Sequence, residues 1–427
     1  MPLEQPDNDS GSPFKSIIAG FTNDIEALHT TLPLTMLIIE SNKRLNRKKL
    51  HDFVDTRGQV HESESIRRVL ISHDAYQEYS ILERRVKRAE SASTLVPRSF
   101  LVALVSQYDA FLGSLVRQMF TDHPGRLNAS EQSLTFKDLL EFSSIDDARD
   151  HVIDSEIEKV LRKNHTEQFD WLEKQLGISL RQEMDIWPTF IEITERRNLL
   201  VHASGRVSKQ YINICRRHKV KLSEELQIGD TLNVDRDYFD SATNCIAEIG
   251  IKLGQVLWRK TSPHDIASAD ESLIDTTYRM LVEERYSLVA RILDFATTSL
   301  TKKSNDADRR VLLINQAQAY KWMGQQEKAA GILDTVDWTA VSIKFRLCEL
   351  VIRGQLNDAI NLVEQIGSNG EIRKDDYRDW PVFQQLRQDP RFQTVFLSLF
   401  GEEINRYKQP DPADIKGQQA LGGTNGR

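Results

Sequence analysis

Apolar residues between Phe100 and Val116 return every three or four positions. Phe100, Leu101, Leu104, Val105, Tyr108, Phe111, Leu112, Leu115 and Val116 therefore share one stripe of a helix. Pro97 is placed to open that helix, and the turn His123-Pro124-Gly125 ends it after about Phe120. A second helix is expected from Ser155 to Leu176, stopped at Gly177. A third starts at Pro188, a residue type suited to the first helical position, and ends near Gly205, suited to a C-cap. A loop or hairpin around Gly229-Asp230 leads to a fourth, Tyr238 to Trp258, and Ser262-Pro263 closes the set. Upstream the pattern is mixed. A short apolar run, Leu34 to Ile39, precedes the basic stretch Lys43 to Lys49, and Ala75 to Glu90 reads as helix from Tyr76, Tyr79 and Leu82. No fold follows for the first 90 residues.

Beyond Pro263 the pattern repeats weakly. Gly324-Gln325 through Leu333 aligns with Gly354-Gln355 through Val363, thirty residues on, and Tyr286 to Leu293 reads as an earlier, degenerate copy. Asn315, Ala319, Tyr320 and Gly324 resemble the first helix and turn of a tetratricopeptide repeat, a unit that buries apolar surface only by stacking on neighbours. Trp380-Pro381 through Phe392 resembles a closing segment, and the Gly-, Gln- and Pro-rich end from Pro410 to Arg427 is expected to be disordered. The expected organisation is all-α: a segment of unknown fold over 1–90, a helical bundle over 91–262, a repeat domain over 263–400 and a disordered tail over 401–427.

Composition narrows the function classes. Hydrophobic residues make up 40% and charged residues 28% of 427, an ordinary balance for a soluble chain. A net charge of -7 gives no global pull toward nucleic acid, so any such site must be a local patch. Cys215, Cys245 and Cys348 form no Cys-x-x-Cys pair, which argues against a disulfide framework or a cysteine zinc site and points to a reducing cytoplasm. No stretch of about 18 apolar residues is evident, so no membrane span is expected. Met1 to Pro13 is polar and acidic, unlike a signal peptide. Phosphate-loop, dinucleotide, His-Glu-x-x-His and Gly-x-Ser-x-Gly motifs are absent, so no cofactor and no metal are expected.

The most informative stretch is Glu195-Arg196-Arg197-Asn198-Leu199-Leu200-Val201-His202, at the end of the third helix. At about 100° per residue, Arg197 falls inside the stripe made by Phe190, Ile193, Leu200 and Val201, while Arg196 points well away from it. Ile191, Glu195, Asn198 and His202 share an adjacent face, and Asn198 and His202, four apart, are close enough to touch. An arginine in an apolar stripe must be paired or must line a cleft or interface. Arg44/His51, Arg68/His73, Arg117/His123 and Arg259/His264 have similar spacing but lack the asparagine, a clear helix end, or both.

Arginine followed by a histidine at this spacing, with a polar residue directly after the arginine, resembles the active-site motif of HEPN-superfamily ribonucleases. These are helical-bundle proteins of bacterial toxin, abortive-infection and CRISPR-associated systems. The resemblance implies metal-independent RNA cleavage by 2′-hydroxyl attack, with Arg197 stabilising phosphorane charge, His202 moving protons and Asn198 orienting His202. It also implies a homodimer, with Arg197 suited to its interface. The basic run Arg206, Lys209, Arg216, Arg217 and Lys219 would hold the RNA backbone, and residues 263–400 would bind a protein partner or trigger. A non-catalytic dimeric adaptor is the alternative, and an RNA binder that does not cleave is a third reading. The adaptor predicts Arg197 locked onto a buried carboxylate such as Asp109 or Glu195, and His202 capping its helix and facing away from any cleft.

Overall fold

Phe14, Ile18, Phe21 and Ile25 are spaced by four, three and four, and all four are buried. They make the first half of α1 (Pro13–Arg57) a core helix. In this computed structural model residues 12–63, 66–129, 134–181, 184–300 and 302–404 are described, except the side chains of 60–68, 128 and 129. The hairpin β1 (Gly58–Ser63) and β2 (Ile66–Ile71), antiparallel with Gly58 opposite Ile71, links α1 to α2 (Tyr76–Asp122). The two long helices are joined by Arg47–Glu90 at 2.5 Å and by Phe53 against Tyr79. The chain is all-α apart from this hairpin among its described residues.

Pro97 does not open a helix; it lies inside α2, which fuses the two helical stretches read on either side of it. A proline removes one backbone hydrogen bond but leaves a helix intact when packing holds both flanks, here Val86 and Ala89 before it and Leu101 and Leu104 after it. The C-terminal part of α2 also departs from expectation. By length and composition it passes as a membrane span, with an 18-residue window of mean hydropathy 1.4, half of it buried in the protein. That apolarity belongs to the core: Leu104, Tyr108, Leu112 and Leu115 are fully enclosed.

After α2 come α3 (Phe136–Leu139), α4 (Ile145–Leu161) and α5 (His165–Leu176). The single helix expected over 155–176 is thus two helices. Asn164 caps the second, its side chain accepting from the backbone N–H of Glu167 at 3.0 Å. Then follow α6 (Trp187–Ala203), α7 (Lys209–Arg217), α8 (Arg236–Thr261) and α9 (Ile266–Val282). α8 carries Gly250 and Gly254 on the face that meets α1. A Cβ at Gly250 would stand 2.2 Å from the ring of Phe21, and one at Gly254 3.0 Å from Ile18. Phe21 is itself stacked on Phe111 of α2, ring centres 4.1 Å apart. This close approach is why the described residues of 12–90 do not form a separate domain. Among the described residues, one compact unit takes in those from 12 to 276 with those from 298 to 304, so the expected boundaries at 90 and 262 give way to one inside α9.

The other compact unit comprises 277–297 and 305–404 among the described residues. It contains α10 (Tyr286–Thr298), α11 (Asp306–Trp322), α12 (Gln326–Leu333), α13 (Ile343–Arg353), α14 (Leu356–Ile366), α15 (Lys374–Asp379), α16 (Gln384–Arg387) and α17 (Pro390–Phe400). Its repetition is visible in three identical turns. Arg285, Gln325 and Gln355 each donate a backbone hydrogen bond of 2.9 Å to the carbonyl five residues back. The preceding residue is left-handed each time: Glu284 at φ 60°, Gly324 at 76° and Gly354 at 78°. The degenerate copy therefore keeps the turn without its glycine. Tyr377, Phe383, Phe392 and Phe396 form the buried aromatic cluster that closes the unit. The expected disordered tail lies almost wholly outside the described residues.

Two stability measurements check these readings. Gly250→Ala should cost about 1–3 kcal/mol, because Phe21 is pinned and has nowhere to move. Gly331→Ala, in open space, is the control; equal melting of both variants would remove the helix-approach account. Glu284→Gly should stabilise by about 0.5–1 kcal/mol, since glycine adopts the left-handed turn without steric cost. A lower denaturation midpoint would mean that Glu284 contributes a contact that outweighs its strain.

Candidate functional site

The site grows from how α6 ends. Ser204 at φ 53° and Gly205 at φ 81° terminate it, and Gly205 donates to the Leu199 carbonyl at 2.9 Å. The chain then pairs briefly with 229–232: Leu232 donates to Gly205 and Val207 to Asp230, at 2.9 and 2.8 Å. Arg98 of α2 fastens this end, reaching Asn233 Oδ1 at 2.9 Å and the carbonyls of Ser204 and Leu232. Leu199 packs with Val207, Tyr211 and Cys215, which seats α7 against α6.

A buried carboxylate completes the scaffold. Glu192 accepts hydrogen bonds from Tyr211 Oη at 2.6 Å, Tyr238 Oη at 2.7 Å and Arg196 Nε at 2.8 Å. The Arg196 guanidinium lies 3.8 Å from the centre of the Tyr238 ring. Arg196 does lie off the stripe of Arg197, as expected, but faces α8 rather than water. Burial and the neighbouring Glu192 charge push the Tyr211 phenol up, so it remains a donor.

These elements enclose a cavity of about 810 Å³ between α2, the end of α4, the start of α5, α6 and α7, within the size range of ligand sites. Arg197, Asn198 and His202 all line it. Arg197 Nη2 pairs with Asp109 Oδ2 at 2.7 Å, and Nη1 donates to Asn198 Oδ1 at 3.2 Å. Its Nε–H is buried without an acceptor. Asp109 Oδ1 meets His165 Nε2 at 3.1 Å. Asn198 Nδ2 reaches Glu195 Oε1 at 3.5 Å. Burial raises the Glu195 carboxyl, with nearby His165 and the Asn198 contact opposing it.

Several expectations change here. Asn198 does not hold His202; its amide is taken up by Arg197 and Glu195, whose charges make them stronger partners. Val201 is 50% exposed, so the apolar stripe ends before it, and Leu199 is buried in its place. Arg197 satisfies its charge on Asp109, within its own chain. Of the basic run, Arg217 lines the cavity, whereas Arg206, Lys209, Arg216 and Lys219 are exposed and stand outside its lining. α7 buries Tyr211 and Cys215 inward, which turns Lys209 and Arg216 to solvent. The fixed charges of the lining balance: Arg162, Lys163, Arg197 and Arg217 against Asp109, Glu167, Asp170 and Glu195. The cavity is thus no general polyanion funnel, and each histidine that takes up a proton adds positive charge.

His165 and His218 were missed in the sequence, whereas Asp109 was read there as a candidate partner of Arg197. A readable signal existed for His165, since Asn164 followed three residues later by an acid is a helix-start pattern that places it at the first helical position. The other Arg–His spacings are spent elsewhere. Arg117 pairs with Asp154, His123 meets the Thr261 carbonyl, and Arg259 pairs with Asp270 at 2.7 Å. His51 pairs with Asp55, and the side chain of Arg68 lies outside the described residues. Among the described residues no group of three metal-ligating side chains occurs.

His218, at the end of α7, ties two other helices together. Its Nδ1 accepts from Trp187 Nε1 at 3.2 Å and its Nε2 meets Thr166 Oγ1 at 3.3 Å. The indole only donates, so Nδ1 must keep its lone pair and the ring is neutral. Burial, then Arg217 and Arg181, lower its pKa, with Asp170 opposing. A lowered folded-state pKa means that the unfolded chain binds the proton more readily. This contribution is complete above about pH 6.5 and is lost as pH falls toward the folded-state value. The denaturation midpoint of the parent should therefore drop between pH 7.5 and 5 more steeply than that of His218→Gln; parallel curves would exclude His218 as the cause.

Comparison with known proteins finds no family model, no curated protein and no solved structure that matches this chain.

Proposed function

We propose that this cavity is the active site of a metal-independent endoribonuclease of the HEPN type, as the Arg197-Asn198 to His202 motif implies. The single observation that supports it most is that Arg197, Asn198 and His202 all line one cavity of about 810 Å³. The Arg197 side chain is 23% exposed at that cavity, and its planar, charged guanidinium suits a phosphoryl oxygen. Cleavage runs by attack of the 2′-hydroxyl on the adjacent phosphorus. Arg197 stabilises the added charge of the phosphorane, and His202 serves proton transfer. Arg217 and Lys163, at the cavity wall, contact the neighbouring phosphates. The outer basic residues Arg206, Lys209, Arg216 and Lys219 then act as weak, salt-sensitive contacts at most. The paired state of Arg197 removes the charge-based reason for a second copy at this point. Homodimerisation therefore rests on the family resemblance, as does a defence or toxin role, while a cytoplasmic location rests on the three unpaired cysteines.

The Arg197–Asp109 pair favours a second reading, a non-catalytic adaptor that uses the bundle and the repeats over 263–400 for protein contacts. On that reading the ion pair is structural, and a lining position for His202 is incidental.

One assay separates the two. Purified protein is incubated with total RNA in EDTA, beside His202→Ala and Arg197→Lys. The lysine keeps a positive charge for Asp109 but lacks the planar fork. The ribonuclease should leave 2′,3′-cyclic phosphate ends, with losses of roughly 10²–10⁴-fold for His202→Ala and 10²–10³-fold for Arg197→Lys. Folded variants as active as the parent, or a parent with no activity, would leave the adaptor reading standing.

A further inference from the structure

Cleavage by 2′-hydroxyl attack needs one group to take a proton and another to give one, and the motif itself holds one histidine. A second lines the same cavity. His165 opens α5, where the cap Asn164 fixes its backbone, and it is 7% exposed. Its ring is held between Tyr108, 6.0 Å away and tilted, and Phe190, 5.5 Å away and edge-on. Its Nε2 meets Asp109 Oδ1 at 3.1 Å. An ionised carboxylate only accepts, so Nε2 carries a proton, and in the neutral ring Nδ1 keeps the lone pair. Nδ1 has no hydrogen-bond partner among the described residues, nor is it one of the fully enclosed orphan atoms. It is the ring atom left for a ligand in the cavity.

A carboxylate that fixes the tautomer and orientation of an imidazole, leaving the other nitrogen to take a proton, is the arrangement of a general base. The same Asp109 carboxylate holds Arg197 through its other oxygen. Base and phosphate-binding guanidinium are therefore set by one group on α2. His202 is exposed and touches no carboxylate among the described residues.

Resting on the ribonuclease reading, we infer that His165, oriented by Asp109, is a catalytic residue in the same protomer, the base that takes the 2′-hydroxyl proton, with protonated His202 as the acid. The 2′-O–H proton passes to His165 Nδ1 as the 2′-oxygen forms its bond to phosphorus. The P–O5′ bond breaks, and its electron pair leaves on O5′, which takes a proton from His202. The products are a 2′,3′-cyclic phosphate and a 5′-hydroxyl. Solvent then removes the proton from His165 and returns one to His202.

The test compares two substrates that differ only in leaving group: an RNA dinucleotide, and the nucleoside 3′-(p-nitrophenyl phosphate), whose nitrophenolate needs no proton to depart. His165→Gln keeps a donor toward Asp109 but has no base; His165→Ala repeats the test without that donor. Both should lose at least about 10²-fold on both substrates, and the acidic limb of the kcat/KM pH profile should vanish. His202→Ala should lose comparably on the dinucleotide but stay within about threefold of the parent on the nitrophenyl ester. A structural role for His165 would not move the pH limb. Parent cleavage with His165→Gln or His165→Ala cleaving both substrates at the parent rate overturns the inference and leaves the ribonuclease reading intact. A parent that cleaves neither substrate sinks that reading and the inference with it.

Discussion

The Glu192 carboxylate is the constraint on which the site depends. A buried anion is tolerated only when its lone pairs are filled, and three donors from three helices fill them: Arg196 on α6, Tyr211 on α7 and Tyr238 on α8. The three helices are thereby fixed at one point beneath the cavity wall. Without that anchor, α7 would rest on the Leu199, Val207, Tyr211 and Cys215 contact alone, and apolar contact is non-directional. Hydrogen bonds to a single carboxylate specify rotation and register, which is what a cavity lined by named side chains requires.

A second carboxylate works differently. Asp109 faces the cavity, half committed to Arg197 and half to His165. Removing either partner would leave charge poorly compensated in a partly buried place, so the three groups hold one another in position. The arrangement is incomplete, since the Arg197 Nε–H lacks an acceptor. A network that leaves this enclosed donor and the His165 Nδ1 without partners among the described residues, beside a space large enough for a ligand, differs from a purely structural ion pair such as Arg259–Asp270. There both side chains are buried, and the second carboxylate oxygen is taken by the Ser304 backbone.

Some of this was legible in the chain. The helix over 187–203, its proline start and its glycine end were readable because caps and periodicity are local properties. The shared face of Glu195, Asn198 and His202 was readable for the same reason, as was the candidacy of Asp109 as partner to Arg197. The core role of α1 was also written in Phe14, Ile18, Phe21 and Ile25, but a stripe spread over a mixed stretch is easily passed over. Pro97 misled because proline marks a helix start by default, and packing on both sides of it overrode that preference.

The sequence alone determined that this chain is all-α, where most of its helices lie, and that Arg197, Asn198 and His202 sit together near one helix end. Local dihedral preferences and side-chain period suffice for that. The tertiary structure decided which groups meet: Asp109 and His165 with Arg197, Glu192 with two tyrosines, Phe21 with Gly250, and four of five basic residues outside the cavity. Those outcomes join residues 19 to 229 positions apart, and no local period carries information over such distances. They follow from which buried charges and rings find partners once the helices have packed.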